Sequence, residues 1–450
     1  MAGAVSDAGF GLRISGSGHG DVRRPDPEVH LLRFLMSVTV LLWVLLVWLA
    51  VSVALLVACH GRTLVALWRE PMLAYPVLIV ESDDWGVGPP SDGDMLARIA
   101  GLLREIQDET GHPAVMTLGV VLGAPNGAAI LASGCQDYQR QTLAEPAYGR
   151  IVEAMRDGCE SGVFALQRHG LEHCWPPSLL ARARADEALQ SWLADPMARS
   201  EALPSALQSR WLDTSSLPSR MLPAGEVEQA VQEEAALFLE VFGRAPTVAV
   251  PNTFVWDETV EAAWAATGVR CVVTPGKQFC GRDAGGNLGR PQRTIRNGQR
   301  SSTGMTYVVR DDYFEPIRGH RAEDVWRAVA GKTFVGRPAL LETHRESFIA
   351  ARVAGIGALG ELDRALRGAR ERHPRLRFLN TEALVQALLD PASPLLESSI
   401  PRRTLAFLRR LRVEPGLGRF LKLTGLGGLA WVSAMLLTAV TGDRSDSAIP

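Results

Sequence analysis

The chain has 450 residues, is 47% hydrophobic and 21% charged, and carries a formal net charge of −2. That size and apolar share suffice for one large α/β barrel with added segments, and the near-neutral balance argues against nucleic acid as a partner. Six scattered cysteines without a CxxC pair exclude a zinc ribbon or a dense disulfide framework.

Residues 1–30 are rich in Gly, Ser, Asp and Arg and read as a disordered arm. Phe34 to Cys59 is uncharged, nearly all apolar and carries Trp43 and Trp48. It exceeds the ~20 residues needed to cross a bilayer, so 31–60 is expected to be a transmembrane anchor. Leu56-Val57-Ala58-Cys59 also resembles a lipoprotein cleavage site, which would place a lipid on Cys59. Arg13, Arg23, Arg24 and Arg33 precede the apolar run, against Arg62 and Arg69 after it. The positive-inside rule then puts the following domain outside the cytoplasm.

Between about 76 and 390, short β-rich runs alternate with helical patterns. Strands are predicted near 77–81, 115–121, 163–167, 247–250, 270–274, 305–310, 339–343 and 376–379. Helices are predicted near 93–107, 146–157, 178–194, 225–242, 257–267, 321–330, 346–370 and 381–389. This alternation predicts an irregular (β/α) barrel of seven or eight strands. Residues 195–223 have poor periodicity and read as an inserted loop at the substrate rim. Over 400–450, seven basic residues (Arg402, Arg403, Arg409, Arg410, Arg412, Arg419, Lys422) precede the apolar stretch Leu423–Val440, and only Arg444 follows. If that stretch spans, its basic flank pulls the domain inward. If it lies on the surface, the flank meets anionic headgroups. The expectation is therefore a one- or two-pass membrane protein, with lipid as a partner and an extracytoplasmic domain.

Three of the predicted strands run into polar clusters. Val77-Leu78-Ile79-Val80 meets Glu81-Ser82-Asp83-Asp84-Trp85-Gly86. Val163-Phe164-Ala165-Leu166 meets Arg168-His169-Gly170-Leu171-Glu172-His173, and Ala339-Leu340-Leu341 meets Glu342-Thr343-His344-Arg345. Barrel chemistry collects at the C-terminal ends of strands. His169 and His173, spaced i, i+4, would share one face of a helical turn and hold a metal, with Asp84 as third ligand. Asp83 is then placed to act as general base and His344 as general acid. Single-residue alternatives exist for each: an Asp N-cap, capping histidines, a strand-end histidine bonded to backbone.

These residues resemble the polysaccharide deacetylases, carbohydrate esterases that include chitin and peptidoglycan deacetylases. The resemblance rests on Ser82-Asp83-Asp84, on His169-Gly170-Leu171-Glu172-His173 and on Leu341-Glu342-Thr343-His344. It implies Asp83 as base, Asp84, His169 and His173 as ligands of a divalent transition metal (zinc, or cobalt, manganese or iron), and His344 as acid. It also implies an acetylated glycan as substrate, deacetylated by water activated on the metal. The chain departs from the family pattern in Trp85, inserted before Gly86, and in the absence of an Arg-Pro-Pro-Tyr loop. Val250 to Asp257 stands in that place, so the Asn252 amide is a candidate oxyanion donor. Trp85, Trp256, Asp257 and Arg345 are candidate substrate contacts. The competing functions are a metal-free glycoside hydrolase pairing Asp83 with Asp311, Asp312 or Glu342, and a non-catalytic glycan-binding component of a polysaccharide assembly complex.

Overall fold

The computed structural model describes residues 27–350 and 352–442. The arm expected over 1–30 therefore lies almost wholly outside the described residues, as does Arg444. The chain divides into two compact units at Gly61/Arg62. In the first, the helix that begins at Pro27 exposes an apolar surface from Leu31 to Val57. This helix continues to Arg69, and Leu31–Arg69 is long and apolar enough to cross a membrane.

The second unit is built on nine strands: β1 Val77–Gly86, β2 Met116–Val121, β3 Phe164–Arg168, β4 Val248–Ala249, β5 Cys271–Thr274, β6 Thr306–Val309, β7 Asp312–Tyr313, β8 Ala339–His344 and β9 Arg377–Phe378. All their pairings are parallel, in the order β6-β5-β4-β3-β2-β1-β8-β7, with β9 also on β1. Only Arg310 and Asp311 separate β6 from β7. A single extended segment thus pairs with β5 at one edge and β8 at the other, and the sheet curls into an irregular α/β barrel. Each predicted strand overlaps an observed one because most are short apolar runs between polar segments, whereas the two-residue β7, Asp312–Tyr313, has no such run and is not among the predictions. Val77 to Val80 and Cys271 to Val273 are buried on both faces, as parallel strands require.

Helices cover the outside by burying one stripe each. In Gly149–Glu160 the buried set is Ile151, Val152, Ala154, Met155 and Gly158, a 3.6-residue period. It packs against Pro90–Arg104 and the β2–β3 face. The single helix expected over 178–194 is two, Pro176–Ala183 and Glu187–Ala194. Asp186 intervenes, its carboxylate accepting from the backbone of Ala188 and Leu189 as an N-cap. The 346–370 helix is likewise two, Arg345–Ile349 and Arg352–Arg372. Residues 195–223 contain two short 3₁₀ turns and a two-residue ladder joining Leu212–Asp213 to Arg220–Met221.

Candidate metal and acid–base site

Strand register brings the two candidate proton carriers together. Asp83 on β1 and His344 on β8 are direct cross-strand partners, as are Glu81 and Glu342 two residues earlier. Beyond Ser82 the pairing of β1 with β2 slips by a bulge, and inside it Asp84 adopts φ 70°. A positive φ is costly for a residue with a Cβ and persists where neighbours enforce it. Here the bulge puts two successive aspartates at one strand end, each with its own partners.

Asp84 Oδ1 lies 3.2 Å from His169 Nε2 and 3.1 Å from His173 Nε2. All three side chains are buried, and their ligand atoms lie within 4.8 Å of one another. The histidines are not on a helical turn, as the spacing predicts. They sit on an irregular loop in which Gly170 takes φ 94° and donates its N–H to Glu234 Oε1, and their rings are 5.1 Å apart. A Cβ at position 170 would be 2.9 Å from Asn252 Oδ1, so the turn needs glycine.

Hydrogen bonding decides what the cluster can hold. His169 Nδ1 donates to the Val250 carbonyl at 3.0 Å. A carbonyl only accepts, so Nδ1 carries the proton and in the neutral ring Nε2 presents a lone pair. That lone pair faces a carboxylate oxygen which has no hydrogen-bond partner. Two acceptors at this distance in a buried site repel unless a cation lies between them. The free imidazole meets this need with a proton: burial opposes its charge, but Asp83 and Asp84 outweigh burial and raise the His169 pKa. Burial likewise opposes charge on Asp84, yet the two histidines hold its pKa well below the usual carboxylate range. One carboxylate and two imidazoles, one of them oriented through its far nitrogen by a carbonyl, fit a catalytic transition-metal site with open positions.

Asp83 is held apart from this cluster by Arg310, which donates Nη2 to Asp83 Oδ2 at 2.6 Å and Nη1 to Glu81 Oε2 at 2.8 Å, with Nε 3.3 Å from Glu342 Oε2. Burial raises the Asp83 pKa, but the Arg310 charge outweighs it and the net shift is downward. Asp83 is therefore ionised at neutral pH, and its Oδ1 has no partner. Oδ1 packs against Gly119, where an added Cβ would collide with it and lie 3.1 Å from the Asp83 Cα. Gly119→Ala is expected to cost about 1–3 kcal/mol by overpacking. Gly101→Ala, at an open helical position, should be neutral or stabilising. Thermal melts of the pair check both.

His344 Nδ1 bonds Glu315, which also accepts from Ser347 Oγ and presents its backbone N–H to His320 Nδ1. Burial opposes a charged His344, but the Glu315 hydrogen bond and the fields of Asp84 and Asp83 push its pKa up to about 10. A histidine pKa raised above its unfolded value stabilises the fold fully below about pH 6.5. That stabilisation is lost as pH rises through about 10. Glu315→Gln is expected to lower the His344 pKa and narrow this window from its upper end. NMR titration of the histidine ring in metal-free protein measures it; an unchanged pKa would remove Glu315 as the cause.

These groups line a cavity of ≈ 330 Å³ with Glu201, Ser205, Gln208, Pro251, Thr253, Phe254, Arg318 and Glu346. Residues 201–208 come from the inserted segment. Arg345 is not a cavity contact as predicted. It is buried, donates to both Glu201 carboxylate oxygens at 2.9 and 2.8 Å, and so ties the insertion to the end of β8.

The other candidate substrate contacts are also corrected. Trp85 is fully buried and donates to Ser82 Oγ. Trp256 is fully buried and donates to Glu261. Asp257 caps the helix Glu258–Ala266. The Asn252 amide donates to the His169 carbonyl at 2.6 Å, so it shapes the histidine loop. Each tryptophan follows a motif in sequence but points outward from the barrel wall into apolar packing. Phe254 is the aromatic residue other than histidine among those lining the cavity. Arg168 also points away, to the Pro246 and Thr267 carbonyls. Asp311 and Asp312 pair with Lys332, so of the carboxylates considered for a glycosidase only Glu342 shares the cavity with Asp83.

No family model matches the chain, and no curated protein does. Several solved structures similar to it are polysaccharide or peptidoglycan deacetylases. A family 4 carbohydrate esterase from Streptomyces lividans is 10% identical, over 65% of this chain and 88% of that one, at a TM-score of 0.30. A CE4-family pseudoenzyme from Bacillus anthracis is 9% identical, over 69% and 66%, at 0.33. A 4-α-glucanotransferase from Thermococcus litoralis is 8% identical, over 70% and 40%, at 0.38. At such scores, function has to be read from the side chains themselves.

Proposed function

We propose that the chain is a metal-dependent hydrolase that removes acetyl groups from a glycan. The observation that carries this reading is the convergence of Asp84, His169 and His173 on one point, with an ionised Asp83 and a protonated His344, paired across two strands, lining the same cavity. Zinc suits the ligand set, and cobalt, manganese or iron share it. A bound ion would supply a Lewis acid to polarise the acetyl carbonyl and acidify water.

The chain's own groups do the rest. Asp83, with Oδ1 free and Oδ2 fixed by Arg310, accepts a proton from the attacking water. His344, charged and held at Nδ1 by Glu315, directs Nε2 into the cavity and protonates the departing sugar nitrogen or oxygen. Glu201, Ser205, Gln208, Arg318 and Glu346 suit a hydroxyl-rich substrate better than an apolar one. The resemblance in sequence to polysaccharide deacetylases points the same way.

The test is acetate release from N- and O-acetylated glycans by the full-length protein, before and after chelation. Activity lost to a chelator and restored by zinc or cobalt supports the proposal. Hydrolysis of glycosidic bonds that resists chelation would favour the Asp83–Glu342 carboxylate reading instead.

A further inference from the structure

The C-terminal helices present an apolar surface where a soluble protein would present a polar one. Ile400–Val413 buries Leu405, Ala406, Arg409, Arg410 and Leu411. Arg410 is the fixing pin: it donates to the carbonyls of Leu67, Glu70, Pro71, Val335 and Gly336. Leu67 to Pro71 lie only a dozen positions or fewer beyond Cys59, where the apolar run of the first helix ends. The helix is thereby fastened to the part of this unit that is nearest in sequence to the membrane anchor.

Two further helices follow, Leu417–Leu423 and Leu426–Thr441, bent by 104°. The last packs on Ile400–Val413 and Leu417–Leu423. It buries Leu426 and Ala434, while Leu429, Trp431, Val432, Met435, Leu436 and Val440 are exposed, Val440 to 77%. Its two ends both return to the domain. Leu426 is buried, and Gly442 lines a cavity of ≈ 210 Å³ with Met72 to Pro76, Arg375, Arg402 and Arg409. Sixteen residues reach about 24 Å, less than the ~30 Å hydrocarbon core. Arg402, Arg412, Arg419 and Lys422, on these C-terminal helices, are exposed, Arg402 while paired with Glu397.

We infer that Leu417–Thr441 is a second membrane-binding element that lies in the plane of the bilayer surface and does not span it. Its outward apolar face enters the acyl boundary, and the four exposed cations meet anionic headgroups. The barrel is then held on the membrane at two places. The inference is independent of the proposed chemistry.

Full-length protein reconstituted in vesicles tests it. Pro415→Cys just before the element and Thr441→Cys at its last residue mark its two ends, and Glu153→Cys on the barrel surface reports the domain's side. A membrane-impermeant maleimide, mapped by mass spectrometry against wild type, should modify all three from the same side. An environment-sensitive probe on Leu436→Cys should emit as in an apolar medium and be quenched more by shallow than by deep spin-labelled lipids. Its blue shift should be larger in phosphatidylglycerol than in phosphatidylcholine vesicles. Replacing Arg402, Arg412, Arg419 and Lys422 by Gln should erase that difference. Labelling of 415 and 441 from opposite sides would overturn the inference in favour of a second span. Water-like emission at 436 in both lipids would overturn it in favour of a protein-covered or solvent-exposed surface.

Discussion

Arg310→Met should destabilise the barrel by about 3–5 kcal/mol, because it leaves Glu81, Asp83 and Glu342 buried without a cation. The three carboxyls surround one guanidinium that is itself 1% exposed, so no other cation is at hand to replace it. The deficit depends on pH in a defined direction. In the wild type, Asp83 is held below its unfolded pKa, and its stabilisation is present above about pH 3.8 and lost as pH falls. In the variant that term disappears, the buried carboxyls take up protons more readily, and the gap to wild type narrows in acid. Adding Glu81→Gln should recover part of the loss, since it removes one of the stranded charges. Denaturant unfolding at several pH values measures this. Equal midpoints at neutral pH would show that Arg310 is not what balances the cluster.

The second large effect separates binding from chemistry. His173→Ala removes one of the three proposed ligands and is expected to abolish metal retention and activity together. His344→Ala leaves all three ligands and is expected to lower turnover by about 10²–10⁴-fold with metal content unchanged. Metal analysis and acetate release on both variants make the comparison. Loss of metal from the His344 variant would contradict its assignment as the acid.

Much of this was legible in the sequence, for a physical reason. Parallel strands buried on both faces are unbroken apolar runs, so their ends stand out where the polar segments that carry Asp83, His169 and His344 begin. The same signature was present at Thr306-Tyr307-Val308-Val309 followed by Arg310, yet Arg310 gave no motif and its role emerges only when β6 is placed opposite β1. Glu315 was hidden for a similar reason: it reaches His344 from a turn after β7, a distance in sequence that no local pattern records. Trp85 misled because of an irregularity within its strand. Asp83 points into the barrel and Trp85 should too, but the bulge at Asp84 reverses the alternation and sends Trp85 into the core outside. The insertion at 195–223 was expected at the rim, but which side chains it contributes was set by the Glu201–Arg345 pair.

The most direct test of the central claim is the metal content of the purified full-length protein after incubation with zinc and removal of excess. The account predicts about one ion per chain, lost on Asp84→Ala and on the His169→Ala/His173→Ala double substitution while the fold is retained. A wild-type protein that binds no zinc or cobalt, with Asp84, His169 and His173 intact and folded, would contradict it.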